Sequence, residues 1–161
     1  MRNYFRLFLV LSLLASPTFI YANNTAEKQV VVETVQKQGE AAYQNWIKAI
    51  NSHDVAKIVA LYKSDAILLA TLKNEPITDQ KDRNDYFTSL TQKPELKAEP
   101  QKTLIQPFGN QVIVVSGLYE FSFKKDGAVV KVPARFSFIF EKGADGKWLI
   151  ANHHSSKLPI E

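Results

Sequence analysis

Cysteine is absent from all 161 residues. That excludes disulfides and a lipid-anchored cysteine, so stability must come from an apolar core or from oligomerisation. Charge of one sign is also scarce, with 20 Lys+Arg against 16 Asp+Glu and a net charge of +4. Such a balance is too mild to argue for nucleic acid as a partner. There is no internal repeat, low-complexity segment or Pro/Gly-rich linker, which points to one domain. Only three histidines occur. Two of them, His153 and His154, are adjacent with no third ligand nearby, so no metal is expected and no cofactor motif is seen.

Long apolar runs are missing except near the start. Arg2 and Arg6 precede Leu7 to Leu14, broken only by Ser12, and Ser16-Pro17 leads to Tyr21-Ala22. The run is short for a membrane span, and the pattern is that of a secretory signal peptide cut after Ala22. Residues 1–22 are therefore read as a leader and 23–161 as the domain. The expected location is the periplasm or the outside, with no stable membrane anchor after cleavage. Losing the two arginines takes the net charge from +4 to +2.

Asn23 to Lys28 should be a loose leader to the domain. From Val30 to Asn51, Val31, Val35, Ala42, Trp46, Ala49 and Ile50 recur at helical spacing, with Tyr43 and Ile47 widening the stripe. Ser52 or Asp54 can cap a short second helix ending at Leu61. Asp65 to Ala70 reads as a buried strand. A third helix starts at Thr78 or Asp79, turns Tyr86, Phe87 and Leu90 inward, and stops before Pro94. Sheet follows, with strands predicted over Lys97–Gln106 and Gln111–Lys124. A hairpin then runs from Val129 to Glu141, turns through Gly143-Ala144-Asp145-Gly146 and resumes at Trp148. Segregated helices and strands make this an α+β domain, a curved and mostly antiparallel sheet wrapped around a long first helix.

The hairpin is the place to look for a site. Val132, Ala134, Phe136, Phe138 and Phe140 alternate with Lys131, Pro133, Arg135, Ser137 and Ile139. If Arg135 points inward it can hold a carboxylate or phosphate, and the phenylalanines then face out to be covered by another copy. If the phenylalanines point inward, Arg135 lies outside, where Glu120 or Glu141 could pair with it. Parity links these outcomes without choosing. His153 and His154 must face opposite ways unless a bulge intervenes, and His154 shares its face with Asn152 and Ser156. Tyr43, Tyr86 and Tyr119 carry hydroxyls that need partners when buried, which suits a pocket wall, whereas Trp46 suits the core. Asp65 and Asp85 are poor candidates for a base, and the serines after His154 lack the context of a hydrolase.

Asp85-Tyr86-Phe87, Pro133-Ala134-Arg135, Asp145-Gly146-Lys147-Trp148 and Asn152-His153-His154-Ser155-Ser156-Lys157-Leu158-Pro159 resemble a known family. The chain is similar to the nuclear-transport-factor-2-like cone fold of ketosteroid isomerases and polyketide (SnoaL) cyclases. Within it, the likeness is to the association (hub) domain of calcium/calmodulin-dependent protein kinase II and its small bacterial relatives. It implies self-association through the sheet and a cavity between helix and sheet. An arginine like Arg135 and a histidine like His154 line that cavity in hub domains, and Asn152 stands where the hub has another histidine. The expectation is an exported homo-oligomer binding a small organic anion. Arg135 would hold the charge, with His154, Tyr43, Tyr86, Tyr119 and Asn152 around it. The alternatives are an isomerase, cyclase or dehydratase using His154 or Tyr43, and an assembly scaffold without a ligand.

Overall fold

The computed structural model describes residues 18–159, so most of the expected leader lies outside the described residues. Three helices precede or interrupt the sheet: α1 (Thr18–Ser52), α2 (Val55–Val59) and α3 (Gln80–Thr91). Five strands complete the fold: β1 (Tyr62–Leu69), β2 (Lys97–Phe108), β3 (Val112–Lys125), β4 (Ala128–Lys142) and β5 (Trp148–Lys157). The sheet order is β1-β5-β4-β3-β2. Only the β1–β5 pair is parallel; the other neighbours are antiparallel. No described helix is long and apolar enough to cross a membrane.

One expectation is corrected at the start of this span. Residues 23–28, expected to be loose, belong to α1. Good helix formers such as Ala26, Glu27 and Lys28 let the helix extend before its buried stripe begins. Val30, Val31 and Val32 remain exposed, and Val35 is the first buried residue of the stripe. The caps read from sequence are present at Asp54, which accepts from the Lys57 amide at 3.1 Å, and at Asp79, which accepts from the Asp82 amide at 2.8 Å.

Two glycines let the layers meet. A side-chain carbon on Gly39 of α1 would lie 2.8 Å from Ile113 and 3.1 Å from Ile105, so the helix can settle onto β2 and β3. One on Gly117 would collide with the Lys102 carbonyl, beside an irregularity in β2 between Pro100 and Lys102. The end of α1 is also tied to the sheet by an amide exchange. Asn51 Nδ2 donates to the Ala98 carbonyl at 3.0 Å and Oδ1 accepts from the Ala98 amide at 2.7 Å.

The parity question of β4 is resolved in favour of the rings. Phe136 and Phe138 are buried against Tyr43 and Trp46 of α1, and Phe140 is buried beside Phe138. Arg135 therefore lies on the outer face, exposed, and its Nε donates to Ser156 Oγ at 2.9 Å. The physical reason is apolar burial: three phenylalanines remove far more apolar surface from water than the positions between them. Neither acid proposed as a partner meets Arg135, since Glu120 pairs with Lys131 and Glu141 with Lys63.

Candidate functional site

A cavity of about 110 Å³ lies between the helices and the sheet. Its wall is mostly hydrocarbon and ring: Trp46 from α1, Tyr86, Phe87 and Leu90 from α3, and Phe121, Phe123 and Val132 from the sheet. Lys93, just after α3, is the one charged side chain on this wall, and its Nζ lies 4.7 Å from the ring centre of Phe123. No aspartate or glutamate among the described residues lines it.

Besides Lys93 and the Tyr86 hydroxyl, four polar side chains interrupt the hydrocarbon. Tyr119 donates from its hydroxyl to Ser155 Oγ, and Ser155 Oγ lies 2.5 Å from Thr71 Oγ1. These hydroxyls run from the buried middle of β3 towards the loop after β1. The fourth is His153 of β5, whose imidazole is 3% exposed. Its ring stacks on Phe138 at 4.0 Å and meets the edge of Trp46 at 5.2 Å. Nδ1 lies 2.9 Å from the Tyr62 hydroxyl, which also accepts from Trp46 Nε1 at 3.0 Å. Nε2 is buried and has no hydrogen-bond partner among the described residues.

Burial decides the protonation of this group. It pushes the His153 imidazole down to about 3, with neighbouring His154 adding to the effect, so the ring is neutral at ordinary pH. Burial likewise raises the Tyr62 and Tyr119 hydroxyls well above the usual phenol range, and pushes Tyr86 up to about 12. All three hydroxyls therefore stay protonated at ordinary pH, and those of Tyr62 and Tyr119 are hydrogen-bonded.

The residues singled out from sequence divide sharply. Tyr86 and Tyr119 line the cavity. Tyr43 is fully buried in the core, stacked on Phe136 at 4.8 Å, and its hydroxyl has no partner among the described residues. Arg135, Asn152 and His154 share one face, but it is the outer one. His154 is exposed beside Leu69 and Ser137, and Asn152 sits between Ile67 and Ile139. The cause is a bulge at β5, where Phe140 faces Ile150 but Ile139 faces Asn152, leaving Ala151 unpaired. Ile150 and His153, three apart, can then both point inward. The sequence reading missed His153, Tyr62 and Ser155 as site residues. The one available signal was that His153 and Ser155 take whichever face His154 does not.

A family model described as the SnoaL-like domain matches residues 40–161. The chain belongs to the SnoaL-like family. Its fold is that of the nuclear-transport-factor-2-like superfamily, as expected. Among solved structures, a Xanthomonas campestris protein described as a calcium/calmodulin dependent protein kinase II association domain is 32% identical, with a TM-score of 0.70 over 76% of this chain and 86% of that one. A ketosteroid isomerase-like protein from Erwinia carotovora atroseptica is 20% identical, with a TM-score of 0.62 over 75% of this chain and 94% of that one. A protein of the NTF2-like family from Streptomyces avermitilis, described as a dehydratase, is 13% identical, with a TM-score of 0.69 over 80% and 99%. The last two likenesses concern the fold. No functionally curated protein matches this SnoaL-like chain.

Proposed function

We propose that this SnoaL-like protein is exported, self-associates through the outer face of its sheet, and binds a small organic molecule with a ring-sized apolar body. The carrying observation is the aromatic-walled cavity with one buried, unpartnered imidazole nitrogen on its wall. A cavity of about 110 Å³ is of the size class that accepts a single ring. Arg135 cannot hold an anionic head group in this cavity from the outer face. A carboxylate on the ligand would instead sit at the mouth beside Lys93, while the buried end takes an uncharged group. Binding is favoured over isomerase-type chemistry because the wall supplies no carboxylate, and His154 and Tyr43, the proposed acid or base, both lie away from it.

The test starts from protein recovered from a bacterial periplasm, whose mass should correspond to a chain beginning at Asn23; a retained Met1 counts against export. Benzoate and toluene, added at a hundredfold excess over their dissociation constants, should stabilise the protein by about 2.7 kcal/mol, read as a rise in Tm. Ala134→Leu fills the cavity from β4 and should abolish both shifts. No shift with either probe, or shifts that survive in the filled variant, would overturn the reading.

Self-association rests on the association-domain relative and on the outer face itself. Ile67, Leu69, Leu104 and Phe108 are 40–60% exposed there, around half-buried Val114 and Ile139. Light scattering should give the mass of a dimer or larger species, and Val114→Lys with Ile139→Lys should reduce it to a monomer. A monomeric wild type would refute the interface.

A further inference from the structure

We propose that His153 is locked as a hydrogen-bond donor through Nε2–H, so that the buried end of the cavity selects ligands carrying an uncharged acceptor oxygen such as a ketone. This inference rests on the cavity-binding reading above and names the ligand chemistry of that same site.

The lock follows from counting protons. An indole N–H can only donate, so Trp46 Nε1 at 3.0 Å makes the Tyr62 oxygen an acceptor. Tyr62 has one proton left, and the His153 Nδ1 at 2.9 Å is the place to put it. The reverse assignment would strand the Tyr62 proton in the core, where an unmade hydrogen bond is expensive. A neutral imidazole that accepts at Nδ1 carries its hydrogen at Nε2. The ring cannot turn to hide it, because Phe138 stacks on its face at 4.0 Å and Trp46 closes at 5.2 Å. The Nε2–H has no partner among the described residues, and a ligand oxygen in the cavity would supply one. A nitrogen already bearing its hydrogen is not a base, so the assignment describes recognition and not proton abstraction.

The experiment compares cyclohexanone with methylenecyclohexane, which have the same shape and differ in C=O against C=CH2. After correction for transfer from water, the wild type should prefer the ketone about tenfold. His153→Phe keeps a ring in the wall and should lower the preference below about threefold. Tyr62→Phe removes the hydroxyl that fixes the tautomer while leaving the imidazole, and should lower it as well. Imidazole 15N shifts at neutral pH should report hydrogen on Nε2 in the wild type and a tautomer mixture in Tyr62→Phe. If neither probe binds, the cavity reading has failed. If both bind equally to the wild type, or the shifts place hydrogen on Nδ1, the donor assignment alone is overturned.

Discussion

Phe138→Ala is expected to remove about 3–5 kcal/mol of stability, among the largest losses of any single side chain here. Phe138 has no exposed surface and sits at the centre of the ring cluster. Trp46 lies 4.9 Å away, Phe136 5.4 Å, Phe140 5.6 Å, Tyr43 5.8 Å and His153 4.0 Å. Those neighbours come from α1, β4 and β5, so none can move in to refill the void without abandoning its own contacts. Urea denaturation of wild type and variant should show a large drop in midpoint with little change in slope. A loss below about 1 kcal/mol would mean that the core collapses around the gap, and that the rings are less tightly interlocked than their distances indicate.

Arg83→Leu is the second large effect, expected at about 2–5 kcal/mol from two stranded carbonyls. Arg83 of α3 is 1% exposed and forms no ion pair among the described residues. Its guanidinium instead donates to the carbonyls of Lys63 at 3.3 Å and Ala66 at 2.5 Å. Those carbonyls flank a disruption of β1, because Tyr62 faces Ile150 while Ile67 already faces Asn152. The forked donor thus holds the stretch that the strand pairing cannot, 5.4 Å over the ring of Tyr62. Arg83→Lys should recover only part of the loss, since one ammonium cannot reach both oxygens in the same plane. Full recovery by lysine in the same denaturation assay would show that charge, not the fork, is what matters.

The plan of the fold was legible because apolar spacing and caps sit where physics requires them. Tyr43, Trp46, Ile47 and Ile50 mark one face of α1, and Asp79 opens α3 where it was expected. The site was harder, because its residues are chosen by parity. The alternation of β4 says that Arg135 and Phe136 point opposite ways, and it is silent on which way is in. That choice is made by burial against α1, whose Tyr43 and Trp46 meet Phe136 and Phe138. The unpaired Ala151 then sets which of two adjacent histidines follows the rings inward. Nothing in the local sequence announces a bulge there. Arg83 was passed over for a related reason, since a lone arginine on a polar helix reads as a solvated charge until the broken pairing of β1 is seen.

β5, the last of the described strands in chain order, is inserted between β1 and β4, beside the first of them. Tyr62 and His153 are thus brought together across 91 positions of chain. Such distant pairing slows folding, and it leaves the inner wall unfinished until the carboxyl-terminal segment has arrived. A polypeptide cut short before Trp148 would leave β1 without its β5 partner and would lack His153 altogether, so the aromatic-walled cavity can close only once β5 is in place.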